Sequence, residues 1–416
     1  MDARLFWLWM QRAIGPGSPK SDSLLRAFGH PSALWKAASL GRSAGLKTGD
    51  GRGLDWFGLS ETERKRLADP SLDRAEALLR QTKERGIWLL TPEDARYPSL
   101  LRGIPGLPLV LYGRGELPDL EMTPPLAVAG TRKISDYGRQ ATRLIAGGLA
   151  LGGAAVIAGG AVGVEAAAHR AALEVGGLTV SVQAAGFGAE YPSQNRELRE
   201  DILAAGGTLL SEYPPDEPGR RLTHDDFLMC NRIVSGMSLG VCVIEAGEKS
   251  GSLMIARHAR DQGRDVFAVP GPIDAAASVG CNRLIRDGAG LVSNGWDILR
   301  EYEARFPGKL KREGARRDVP PIPGYESRER QREEQRREAR KLPPLLTLGP
   351  EGPELTDDQL CLLRTLTEEP MLVDDLVEVS GIPVRRVLSA LTMLEIDGYV
   401  SQAPGKRYAR TVTLSE

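Results

Sequence analysis

Four short stretches carry residues able to bind anions. They are AGTRKIS (129–135), with Gly130, Thr131, Arg132, Lys133 and Ser135; AGGAVGVE (158–165), with Gly159 and Gly160; FLMCNRIVSG (227–236), with Phe227, Asn231 and Arg232; and EAGEKSGSL (245–253), with Lys249, Ser250, Gly251 and Ser252. Each offers backbone amides at or near the start of a helix, where unpaired N–H groups and the helix dipole favour negative charge. Three of the four add a cation or an amide side chain. A row of such cradles suits a chain of phosphates better than a single phosphate.

The familiar nucleotide signatures are missing. A dinucleotide fold requires GxGxxG directly after its first strand and an acidic residue closing the second. Here the glycine turn reads Gly159, Gly160, Ala161, Val162, Gly163, and the following strand ends at Gln183 and Ala184. No GxxxxGK[ST] loop occurs, so NAD, FAD and ATP are poor ligands and no cofactor is expected. Cys230, Cys242, Cys281 and Cys361 form no CxxC pair and the 4 histidines no HExxH, so neither a metal site nor a disulfide framework is expected.

The elements that must position these stretches follow from the hydrophobic pattern. Between residues 85 and 303, short β-rich runs alternate with helical periods, the mark of a parallel sheet covered on both faces. Strands are predicted at 126–130, 154–159, 178–184, 207–212, 239–246 and 265–271. The fold class is α/β: an extended Rossmann-like domain with a mostly parallel sheet, whose ligand belongs at the carboxyl ends of the strands.

Four segments are expected along the chain: a helical domain at 1–82, the Rossmann-like domain at 83–303, a charged linker at 304–352 and a winged helix at 353–416. In the first, helical periods such as LFWLWMQRA are punctuated by Gly15, Pro16 and Gly17. That pattern resembles a helix-hairpin-helix or SAM-like module, whose turn amides can meet DNA phosphates; glycines that simply end helices explain it equally well. The stretch 309–341 holds 12 Lys or Arg against 7 Asp or Glu and reads as a solvated tether. Three capped helices and two short strands around APGKRYAR make the last segment a winged helix. Its third helix supplies only Arg385 and Arg386 before turning acidic, which favours a protein partner over DNA.

With 416 residues, 41% apolar content and a net charge of -1, the chain reads as globular, and any polyanion site must be local. It has no membrane-length apolar run and no signal-peptide pattern, so a cytoplasmic location is expected.

Taken together, the ordered motifs YPSLLRGIPGLPLVLYGRGEL, AGTRKISDYG, AGGAVGVEAAAHRAAL, YPSQNREL, LLSEYPP, CNRIVSGMS, EAGEKSGSLMIARHA, GRDVFAVPGPI and GCNRLIRDGAGLV resemble the DprA/Smf family from end to end. The resemblance implies a non-catalytic recombination mediator, a homodimer that binds single-stranded DNA and loads the RecA recombinase during natural transformation. By the same resemblance Arg132 matches the arginine of the family's G-S-R motif, Lys249 to Gly251 match K-S-G, and Asn231 and Arg232 match the end of F-P-x-R-N-R. Phe227 falls on that motif's aromatic and would contact a base.

Two family cations are absent, since Val162 stands where S-G-x-A-R-G-I-D has arginine and Phe227-Leu228-Met229-Cys230-Asn231-Arg232 lacks the proline and one arginine. Weight therefore falls on Arg132, Lys249 and Arg232, with Arg220, Arg221 and His224 as supplementary phosphate contacts.

Two other classes are tested against this reading. Nucleotide phosphoribohydrolases of the LOG type share a related sheet and carry P-G-G-x-G-T-x-x-E; here the glutamate position is hydrophobic, so the acid/base group is missing and Glu245 is expected to fix backbone amides or Arg232. A winged-helix transcriptional regulator would need a more basic third helix. The family's dimer contact maps to 252–289, where Met254 and Ile255 could serve it or pack on the sheet.

Overall fold

The computed structural model describes residues 2–40, 57–189, 191–215, 222–316, 345–348, 353, 355–403, 405 and 407–415. Contacts divide the chain into two units, Met1–Ile322 and Pro323–Glu416.

Among the described residues the first unit opens with the helices α1 (Arg4–Ile14), α2 (Lys20–Phe28), α3 (Pro31–Leu40), α4 (Glu61–Leu67) and α5 (Asp73–Glu84). Their apolar faces share a core, with Trp9, Met10, Leu24 and Leu34 buried. That core continues into Ile87, Leu89, Val110 and Tyr112 of the following domain.

Nine strands then build one sheet: β1 (Trp88–Leu90), β2 (Leu111–Gly115), β3 (Pro125–Ala129), β4 (Ala155–Gly159), β5 (Thr179–Gln183), β6 (Thr208–Ser211), β7 (Gly240–Val243), β8 (Asp265–Ala268) and β9 (Gly290–Leu291). Their order is β1-β2-β6-β5-β4-β3-β7-β8-β9. The central strands are buried along their length, because runs such as AVIAG and GVCV have no polar face and can only sit between two layers.

From β3 the chain winds outward through β4, β5 and β6, all parallel, and then returns to lay β7, β8 and β9 on the other side of β3. The reversal between β3 and β7 is a topological switch point, where the diverging loops leave a crevice at the strands' carboxyl ends. All six predicted strands form. The antiparallel β1 and β2, which the parallel pattern does not signal, extend the sheet beyond β6.

Helices α6 (Asp136–Leu151) and α7 (Val164–Glu174) cover one face of the sheet through Ala141, Ile145 and Ala168. Helices α8 (Arg196–Ala204), α9 (His224–Gly236), α10 (Ser252–Asp261) and α11 (Val279–Arg286) follow the later strands, and α9, α10 and α11 cover the other face through Ile233, Val234, Ile255 and Leu284. Two short helices, α12 (Gly295–Leu299) and α13 (Arg312–Arg316), pack against α6.

Among the described residues the second unit holds the helices Asp357–Thr365, Val373–Ser380 and Val384–Ile396 and a three-stranded sheet of Met371–Leu372, Arg407–Arg410 and Val400–Ala403. This is the winged-helix plan. Thr356 and Gln359 form a reciprocal capping box at its first helix.

Among the described residues no helix is long and apolar enough to cross a membrane, and no cluster of His, Cys, Asp or Glu could hold a metal ion.

Candidate nucleic-acid interface

The crevice at the switch point is a cleft of about 550 Å³. Its walls come from the loops after β3, β4, β5 and β7 and from the first two turns of α9. Loop β3–α6 supplies Gly130 and Arg132, loop β7–α10 supplies Ser250 and Gly251 with Ser252 opening α10, and α9 supplies Phe227 and Asn231.

Local sequence explains the shape of each wall. Glu245, just beyond β7 and buried, accepts hydrogen bonds from the Ser135 amide (3.0 Å) and the Ser135 hydroxyl (2.5 Å), while Ser135 caps α6 by accepting from the Gly138 amide. Ser135 is thus committed to holding the loop. Glu245 fixes backbone at the mouth of the cleft, one of the two roles expected of it, and Arg232 pairs elsewhere. The Thr131 amide donates to the Glu245 carbonyl, and the Thr131 carbonyl accepts from Val164. Gly130 sits where a Cβ would fall 2.6 Å from the Val164 side chain, so only glycine lets this loop cross the start of α7.

Helix α9 starts from a second fixed point. Asp226, buried, accepts from the Thr223 amide (2.7 Å) and hydroxyl (3.0 Å) and from the Tyr213 hydroxyl (2.7 Å). Phe227 follows directly and turns its ring into the cleft. The Arg132 guanidinium lies 4.4 Å from the centroid of that ring, and Tyr191 approaches it at 5.6 Å with the planes inclined by 60°. The result is a layered wall of cation, aromatic and aromatic.

The glycine turn is a poorer anion cradle than its sequence suggests. Its Ala161 amide donates to the Glu165 carboxylate at 2.9 Å, and the Val164 amide is taken by Thr131. The Gly159 carbonyl accepts from His169 Nε2 at 2.9 Å and the Gly160 carbonyl from the Asn195 amide at 2.9 Å. Gly160 lines the cleft as a surface, while Gly159 lies beneath it. Glu165 also lines the cleft. Burial raises its carboxyl pKa, against the lowering effect of the Ala161 amide and of Arg132.

Several expected contacts are placed differently. FLMCNRIVSG is an interior stretch of α9, so Phe227 and Asn231 reach the cleft as helix side chains one turn apart. Arg232 faces away from the cleft. Only 5% of its side chain is exposed, and it forms a two-pronged ion pair with Glu212 at 2.7 and 2.8 Å while donating to the Gly106 and Met229 carbonyls. It is therefore corrected from a phosphate contact to an internal tie. Lys249 is exposed on the β7–α10 loop beside the cleft. The backbone of His224 opens α9, and Arg220 and Arg221 lie outside the described residues.

Sequence reasoning missed Tyr191, Asp226 and Glu165 as site-forming groups. The signal for Tyr191 was an exposed-type aromatic before Pro192 in YPSQNREL, next to a strand end. The GPG turn also resolves: the Gly17 amide donates to Glu212 at 2.9 Å, so it serves packing.

A family profile described as DNA recombination-mediator protein A matches residues 88–303, more than half of the chain. The chain belongs to that family. Residues 347–406 match the DprA winged helix domain. Protein Smf of Synechocystis sp. is 36% identical over 346 residues, covering 80% of this chain and 82% of its own. DNA processing protein DprA of Streptococcus pneumoniae is 40% identical over 210 residues, 50% of this chain and 72% of its own. The X-ray structure of DprA from the same organism superposes with a TM-score of 0.52 at 33% identity, covering 64% of this chain and 92% of the other. Membership of the DNA recombination-mediator protein A family gives the chain a role in DNA processing as a recombination mediator.

Proposed function

We propose that the switch-point cleft binds single-stranded DNA. The observation that carries this is the wall of Arg132, Phe227 and Tyr191. Aromatic faces grip unpaired bases regardless of sequence, and a neighbouring guanidinium can pair with phosphate or stack on a base. In duplex DNA the base faces are covered by their neighbours, so such a wall has nothing to stack on. Lys249 and the Ser250–Ser252 turn at the start of α10 supply the adjoining backbone contacts.

On this reading the protein is not an enzyme. Ile255, 1% exposed, occupies the position where a phosphoribohydrolase would carry its glutamate. AMP incubated with the protein is expected to release no free base.

The wider role proposed is protection of incoming single strands and loading of RecA during natural transformation, in the cytoplasm, by a homodimer. Support for the dimer is the exposed Leu291 on β9, an unpaired edge strand of the sheet that a second copy could extend, with Ile273 (95% exposed) and Val279 also exposed in the preceding segment. Ile255 is buried in the core and Met254 is partly buried, which favours their packing role. For the winged helix a protein partner is favoured: Arg386 is held by Asp358 at 2.7 and 2.8 Å, and Val384, Leu388 and Met393 are exposed on the same helix.

The site is tested by photo-crosslinking an oligo-dT that carries 5-iodouracil. Crosslinks at Tyr191 or Phe227 are expected; crosslinks confined to other segments would move the strand out of this cleft.

A further inference from the structure

The first unit contains a buried polar network that the cleft itself does not use. At its centre is the Glu212–Arg232 pair, with 2% and 5% of the side chains exposed. Glu212 follows β6, and Arg232 projects about 100° around α9 from Asn231, outside the lining of the cleft. The N-terminal helical domain closes over the pair. The Gly17 amide donates to Glu212 Oε1 at 2.9 Å, Gln11 Nε2 donates to the Glu212 and Val110 carbonyls at 3.1 and 3.2 Å, and the Tyr112 hydroxyl donates to Gln11 Oε1 at 2.9 Å. From the other side Arg232 Nε donates to the Gly106 carbonyl at 3.1 Å, and the Gly106 amide donates to Asp22 of α2 at 3.0 Å.

Steric contact runs alongside. Gly17 has φ of +66°, and a Cβ there would fall 2.4 Å from the Met229 sulfur and 3.3 Å from Arg232 Nη2. The α1–α2 turn therefore rests on α9 at Met229 and Arg232, between and beyond the two residues, Phe227 and Asn231, that line the cleft. A buried charge pair tolerates little misalignment, because either partner left alone carries an uncompensated charge. Its arrangement fixes how α9 rotates.

We infer that the α1–α2 turn, acting through Glu212 and Arg232, is a brace that sets the pose of α9 and with it the affinity of the cleft for a strand. Gly17, Glu212 and Arg232 are positioning residues. The inference rests on the single-strand reading of the cleft and adds to it a site of control in the N-terminal domain. Because coupling between two sites is reciprocal, a strand bound at Phe227 must also tighten the turn at Gly17.

The test uses full-length protein and oligo-dT. Gly17→Ala inserts a methyl group against Met229 and strains a left-handed backbone without altering any charge. Its affinity for oligo-dT is expected to fall about five- to tenfold, the lower range of typical coupling between sites, with circular dichroism unchanged. In the unmodified protein, saturating oligo-dT is expected to slow hydrogen exchange of the Gly17 amide, while equal-length duplex leaves it unchanged. The exchange measurement stands on its own where the variant fails to fold. Wild-type protein that binds oligo-dT with no change in Gly17 exchange overturns the brace, even where Gly17→Ala binds weakly. So does a folded Gly17→Ala variant of wild-type affinity. Wild-type protein that does not bind oligo-dT overturns instead the single-strand reading on which the brace rests.

Discussion

The guanidinium of Arg132 lies over the ring of Phe227, 4.4 Å from its centroid, although one residue belongs to a loop and the other to a helix 95 positions further along the chain. Loop β3–α6 brings the cation and the first turn of α9 brings the ring. Their contact closes the cleft's wall and makes the two side chains energetically dependent.

That dependence is measurable. Phe227→Ala should cost on the order of 1 to 3 kcal/mol in oligo-dT binding, the range for loss of one base–aromatic stack. Arg132→Ala should weaken binding and leave the fold intact. In a double-mutant cycle the losses should be less than additive, since each truncation already disturbs the other's partner. Strict additivity would argue against a shared wall.

Two cations that look alike in sequence should behave oppositely. Lys249→Ala, at an exposed position, should lower the salt dependence of strand binding by about 0.7 in the log–log slope, the value for one phosphate contact on a single strand, with unchanged melting temperature. Arg232→Ala should instead destabilise the protein by about 3 to 5 kcal/mol by stranding Glu212 in the interior. Thermal melts and salt titrations on both variants check the assignment; a stable Arg232→Ala with a reduced salt slope contradicts it.

Glu165 places a carboxylate in a cleft proposed to hold DNA. Burial raises its pKa, so it takes up a proton at a higher pH than an ordinary glutamate as acidity increases, and the repulsion it exerts on a strand then disappears. Oligo-dT affinity should rise as pH falls, and Glu165→Gln should bind more tightly at pH 7 with a flatter pH profile. A variant that binds more weakly at every pH would mean that the carboxylate contacts the strand directly.

His169 ties the end of β4 to α7, donating from Nε2 to the Gly159 carbonyl and meeting the Thr179 hydroxyl through Nδ1 at 2.7 Å. Burial lowers its pKa from 6.5 to about 4. Between those values the unfolded chain binds a proton that the folded protein refuses. The stability is fully present above about pH 6.5 and is lost progressively as pH falls towards 4, by roughly 3 kcal/mol in all. The stability difference between wild type and His169→Gln, followed by denaturant melts across this window, should shrink by that amount on acidification.

Most of the scaffold was legible because its signals are local. Runs such as AVIAG and TVSVQ have the length and composition of fully buried parallel strands, and each carries its own turn and helix start. That a ligand belongs at the carboxyl ends of the strands followed from the small and polar residues there, whereas the reversal between β3 and β7 that opens the cleft depends on long-range strand pairing that no local run records. Arg232 was not legible either. Its partner Glu212 is 20 residues away and Gly17 of the turn that closes over them is 195 residues from Glu212, so nothing near Arg232 separates an internal tie from a phosphate contact. The glycine turn misled for a related reason: its shape is written in Gly159, Gly160 and Gly163, but Glu165 and Thr131, which occupy two of its amides, do so only once α7 has packed.

The central claim is preference for single strands, and it is tested most directly by fluorescence anisotropy of labelled oligo-dT and of a duplex of equal length, titrated with protein at several salt concentrations. Tighter, salt-sensitive binding of oligo-dT, lost with Phe227→Ala, is the predicted result. Equal or tighter binding of the duplex, or oligo-dT binding indifferent to Phe227 and Arg132, would contradict the account.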